Sequence, residues 1–210
     1  MKGLILKELL GMRSFAKGTL SAILIMSICF YFSVGAEGII AAVAIMCATM
    51  IVTTYTLDER YGWQKYALAM PISRRQYIGA KYVTNLIFCG AGVLLGSVIA
   101  LVLSLLKHTT DLAALGAVAA VGLIISLLFG VVIIPLLTFF GAEKARMIMM
   151  GVIAVPTILI YLIVDKTDIL HLTLTGKQET LLAIGSVGIF VLLMLLSYLI
   201  SVRIFEKKEL

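Results

Sequence analysis

The residues that could do chemistry in this chain are few, and their spacing excludes more than it suggests. His108 and His171 both stand in the gaps between apolar runs, His171 in the long Asp165–Thr180 loop, so neither can act as base to a serine within a run. HExxH, the helical pair of zinc ligands with its glutamate base, is absent, and so is the GxxxxGK[ST] loop that cradles phosphates. Catalytic and metal-binding residues are therefore expected to be none, and no cofactor is expected in this chain. Glu143, Lys144 and Arg146 cluster at the end of an apolar run and read as solvated or locally paired. Asp58-Glu59-Arg60 reads as a helix-end and docking cluster rather than an acid–base pair. Cys29, Cys47 and Cys89 all lie inside apolar runs, odd in number, which argues for packing thiols over a disulfide framework.

The elements that position these residues are six apolar runs. They cover Thr19–Val34, Ile39–Thr56, Tyr82–Leu106, Leu112–Phe140, Met147–Val164 and Leu181–Val202, and none contains Asp, Glu, Lys or Arg. Each is near or above the ~18 residues that cross a hydrocarbon core as a helix. With 62% apolar and 13% charged residues and a mean hydropathy of +1.14, a soluble domain is excluded. One side collects Lys2, Lys7, Arg13, Lys17, Arg60, Lys65, Arg74, Arg75, Lys81, Lys144, Arg146, Arg203, Lys207 and Lys208; the other has only Lys107, Lys166 and Lys177. The acids divide almost evenly, and a bias in Lys and Arg alone is the positive-inside rule. The expected fold is an all-α integral membrane domain over residues 1–210, with six spans and both termini cytoplasmic. Intramembrane ionisable groups, usual in proton- and ion-coupled transporters, are missing from the runs.

Before the first run, Ile5, Leu9, Met12 and Ala16 recur at helical spacing among Lys2, Lys7, Arg13 and Lys17. This is either an amphipathic helix lying in the cytoplasmic interface or a positive flank to the first span. Val34-Gly35-Ala36 would pass as a cleavage site, but the long patterned segment before the run favours a retained span. The first hairpin closes through Gly35–Gly38. Ala41, Ala44 and Ala48 make a small-residue face in the second run, and Gly92 and Gly96 a GxxxG in the third. Such faces let helices approach closely in lipid, within one subunit or between two. The fourth run would be about 43 Å long as a helix, so it must tilt, bend or extend past the core. Pro135 there and Pro156 in the fifth run remove hydrogen bonds to the carbonyls of Val131 and Val152, making both prolines candidate hinges.

The gap between the second and third runs carries the richest pattern. Trp63, Tyr66, Ala67 and Met70 follow i, i+3, i+4, i+7, predicting a two-turn helix with one aromatic-apolar face. Gly62 permits a sharp turn before it, Pro71 stops it, and Ser73 with Gln76 forms a capping box that starts the next helix. So short a helix is marginal alone, so its face should bury against lipid, this protein's own inner mouth, or a docked cytosolic partner.

The order of an N-terminal helix, two spans, Asp58-Glu59, Gly62-Trp63, Tyr66, Pro71, Ser73-Arg74 and Lys81 resembles the membrane subunits of type-2 ABC exporters. More narrowly, it resembles the small six-span permeases that export antimicrobial or phenol-soluble-modulin-like peptides from bacteria. The motif covers about 25 residues and the topology the whole chain, although the extended extracellular domain of larger members is missing. The resemblance implies that the short helix is a coupling helix, with Asp58, Glu59, Arg60, Gly62, Trp63, Tyr66 and Met70 docking a separately encoded ATPase. It also implies two copies of that ATPase, which hold ATP and Mg, and a second permease subunit, as a homodimer or with a close relative. It further implies a place in the bacterial plasma membrane and export by alternating access. The charge-free runs suit an amphipathic or hydrophobic cargo, and the resemblance favours a peptide toxin or antimicrobial. Small hydrophobic drugs or lipids, and a membrane assembly or sensory protein without transport, are the other readings.

Overall fold

The computed structural model describes residues 2–33, 35–70, 72–106, 112–145, 147–148 and 176–207. Its helices are α1 (Lys2–Ser33), α2 (Ala36–Ala48), α3 (Met50–Arg60), α4 (Trp63–Ala69), α5 (Arg74–Leu106), α6 (Leu112–Phe140) and α7 (Gly176–Lys207). Among the described residues four helical stretches are long and apolar enough to cross a membrane: Lys2–Phe32, Gly38–Arg60, Arg74–Leu106 and Leu112–Phe140. The sixth apolar run lies in α7; the fifth, with Pro156, lies outside the described residues except at its start.

The patterned N-terminal segment and the first run form one helix, not an interfacial helix followed by a span. Gly18, at the junction, keeps a helical backbone, and nothing beside it forces a break. The buried stripe keeps Met12 from the expected one but takes Leu4 and Glu8 in place of Ile5 and Leu9. Leu4, Glu8 and Met12 face inward, while Leu9 and Ala16 are exposed.

The second run divides at Thr49, whose hydroxyl donates to the Met46 carbonyl at 2.6 Å. Val52 N–H then reaches only as far back as Thr49 O, 3.0 Å, so the turn tightens between α2 and α3. The Gly92–Gly96 pair faces α2 within the same subunit. A Cβ on Gly92 would stand 2.7 Å from Cys47 Cβ and 3.1 Å from Ala44 Cα, and one on Gly96 would stand 3.0 Å from Ile40 Cα. Ala44 and Ala48 are fully buried opposite them. In lipid, where apolar surface has no water to escape, this close van der Waals contact is what holds α2 to α5.

The basic gaps converge at one end of the bundle. There α3, α4, α5, α6 and α7 share a core containing Tyr55, Ala67, Tyr77, Ile78, Ile134, Leu137 and Phe205. Tyr77 stacks on Phe205 with ring centroids 5.1 Å apart. Arg74 donates to the carbonyls of Phe205 (2.6 Å) and Glu206 (2.7 Å), tying the start of α5 to the negative C-terminal end of α7. α5 begins at Arg74, about two turns before its apolar run.

Candidate functional site

The short helix α4 is set up by its flanks. Gly62 sits at φ +62°, a left-handed conformation open to glycine, which ends α3 and redirects the chain. Met70 is extended (ψ 161°), as a residue preceding proline is driven to be, so α4 ends there. Ser73 and Gln76 exchange both capping-box hydrogen bonds at 3.2 Å each, and α5 begins.

The face of α4 does not turn as one. Ala67 and Gln64 are buried and Trp63 packs on the shared core, whereas Tyr66 (65% exposed), Met70 (44%) and, just before the helix, Tyr61 (69%) point outward. Periodicity gave the helix; the neighbours decide which part of it is covered.

Asp58 is not at the surface. It is 1% exposed and lies at the centre of a charge cluster drawn from three helices. Lys81 on α5, also 1% exposed, reaches Asp58 Oδ2 at 2.6 Å, Glu8 Oε1 at 2.8 Å and Thr54 Oγ1 at 3.2 Å, using all three of its donors. Lys7 on α1 pairs with Asp58 Oδ1 and lies 3.2 Å from Glu8 Oε1. Tyr77 donates to Asp58 Oδ2 at 2.7 Å. Aromatic faces complete the enclosure: Lys81 lies 4.6 Å from the Tyr55 ring centroid, and Lys7 4.7 Å from that of Trp63. Two cations meet two anions, so the cluster is neutral. Desolvation makes such a group expensive to open, because separating any member strands a charge away from water. It ties α1, α3 and α5 to one another, with Trp63 of α4 under the Lys7 ammonium.

Sequence reasoning missed Glu8 and Lys7 as partners. The available signal was an acid between Leu4 and Met12 at helical spacing, an interruption of the very stripe that α1 buries. Glu59, on the next step of α3, goes elsewhere. Its Oε2 accepts the N–H of Ala142 at 2.9 Å, satisfying a backbone donor that opens the helical turn after α6. That contact requires Gly141, at φ +81°, since a Cβ there would stand 2.6 Å from Glu59 Oε1. Arg60 is exposed and, with Lys7, Ser14, Phe15, Tyr61 and Trp63, lines a cleft of about 380 Å³ between α1 and the α3–α4 corner. No cluster able to hold a metal occurs among the described residues.

Pro135 lies inside an unbroken α6, and the carbonyl it frees, that of Val131, accepts the Ser197 hydroxyl of α7 at 2.6 Å.

Several membrane-crossing helices joined at a basic end by a buried ion cluster, with one short helix projecting from it, define a multi-pass membrane protein with an organised non-membrane face. The chain belongs to the ABC-2 family of transporter proteins, whose sequence profile matches residues 3–206. Membership implies embedding in a membrane as the permease part of an ABC transporter and a partner ATPase. No individual curated protein and no solved structure matches the chain.

Proposed function

We propose that this chain is the permease subunit of an ATP-driven exporter in a bacterial plasma membrane, with its basic end cytoplasmic and α4 acting as the coupling helix. ATP and Mg belong to a separate ATPase chain, of which two copies serve a pair of permeases. The observation that carries this reading is the two-sided character of α4. Its inner side is anchored through Trp63 and Ala67, while Tyr61, Tyr66 and Met70 stand exposed beside Arg60 and Lys65. Exposed aromatics on a rigid support are what an interface uses as anchors. A push on α4 would reach Trp63, then Lys7 and the ion cluster, and so α1, α3 and α5 as one body, which is how a rigid-body step of alternating access is driven. The cargo in this reading is an amphipathic or hydrophobic peptide, consistent with runs that carry no charge.

The test is Tyr66→Ala with Met70→Ala, co-expressed with the partner ATPase. Truncating such anchors commonly costs about 2 kcal/mol or more, a loss of affinity of roughly thirtyfold. The double variant should fold normally and lose the ATPase on purification. An intact complex would assign the exposed side of α4 to the lipid interface.

A further inference from the structure

The carbonyl that Pro135 frees is held by a chain of three buried hydroxyls whose directions are fixed. Ser197 Oγ has one hydrogen and gives it to Val131 O at 2.6 Å. Tyr82 of α5, 2.6 Å from Ser197 Oγ, must then be the donor of that pair. With its hydrogen used, the Tyr82 oxygen accepts from Ser201 at 3.1 Å. The order is Ser201 to Tyr82 to Ser197 to the Val131 carbonyl, running from α7 through α5 and back to α7 before ending on α6. All three side chains are buried: Tyr82 is 8%, Ser197 5% and Ser201 0% exposed.

We propose that Ser197, aligned by Tyr82, is a positioning residue for α6: it supplies from α7 the hydrogen bond that Pro135 denies to Val131, and so sets whether α6 can bend at that proline. A proline in a membrane helix leaves a backbone acceptor that must find a donor where no water is present. Here the donor comes from another helix, so bending α6 at Pro135 requires α7 to let go. The proline is a point of flexure under the control of two neighbours, not a weak point in α6 alone. The inference concerns the packing of α5, α6 and α7 and stands whether or not the cargo is a peptide.

The experiment is a double-mutant cycle on the purified chain. In Pro135→Ala, residue 135 regains an N–H that can reach Val131 O, so the Ser197 hydroxyl becomes redundant. Ser197→Ala in the native background should lower the melting temperature by about 2–12 °C, from the cost of a stranded carbonyl in a chain of this length. It should also speed hydrogen–deuterium exchange in the peptides covering residues 129–139. Ser197→Thr, which keeps the hydroxyl, should restore both. In the Pro135→Ala background Ser197→Ala should cost less than half as much and leave exchange in α6 unchanged. Tyr82→Phe removes the donor that aligns Ser197 and should cost more in the native background than in Pro135→Ala. Equal loss from Ser197→Ala with and without Pro135, or failure of Ser197→Thr to restore α6 protection, overturns the proposal. If Ser197→Ala does not accumulate, recovery of accumulation by Pro135→Ala supports it and continued absence overturns it.

Discussion

Replacing Lys81 with methionine tests whether the ion cluster holds the basic end together. The side chain is 1% exposed, so removing its charge leaves Asp58 and Glu8 buried with Lys7 as their one cation among the described residues. Asp58 keeps its Tyr77 and Lys7 bonds, but Glu8 loses the 2.8 Å contact and retains only the 3.2 Å one to Lys7. Breaking a buried pair by deleting one partner costs about 3–5 kcal/mol. At about 2–4 °C per kcal/mol for a chain of this length, the melting temperature should fall by about 6–20 °C. Trp63 is the one tryptophan, and Lys7 lies over its ring, so its emission reports melting at this site. A second variant separates charge from packing. Lys81→Met with Glu8→Gln removes one charge of each sign, leaves Lys7 with Asp58, and should regain at least half of the loss. If Lys81→Met melts within 2 °C of the native protein, or the neutral double variant is no better, the cluster is not what joins α1, α3 and α5.

Gly96→Val should push α2 from α5, because the nearest atoms to a Cβ there belong to the Ile40 backbone, which cannot swing aside; overpacking of this kind costs about 1–3 kcal/mol, read as a lower melting temperature, and an unchanged one would mean that the helices are not in contact. In a background without native cysteines, a cysteine at Lys177 should react with an impermeant thiol reagent on intact cells and one at Lys144 only after permeabilisation. Reaction of both from outside would end the cytoplasmic assignment of the basic end.

Much of the architecture was legible because it follows from local rules. The long apolar runs fix spans by length, Gly62 and the residue before Pro71 bound α4, and Ser73 with Gln76 starts α5. Gly92 and Gly96 marked a close approach, although only the fold could assign it to α2 of the same subunit. The orientation of α4 was not legible, since a period of 3.6 reveals that a face exists without saying how much of it neighbours cover. Asp58 was misplaced for a related reason. An acid between an apolar run and a turn reads as part of a helix-end docking cluster, and here its partners come from positions 7 and 81, brought together by packing that no local pattern encodes. The continuity of α1 was left open because a change in composition at residue 18 does not say whether the backbone breaks there.

The ion cluster also imposes an order on biosynthesis. A chain emerging from its N-terminal end presents Lys7 and Glu8 first and Asp58 next, but Lys81 arrives 73 residues after Glu8. At 5–20 residues per second, Glu8 waits about 4–15 s for its second cation. During that interval α1 carries an acid in its buried stripe and α3 an acid near its C-terminal end, with one lysine between the two. The basic end therefore cannot close until α5 has been threaded, and a nascent chain stalled before Lys81 would hold Glu8 and Asp58 against the single ammonium of Lys7.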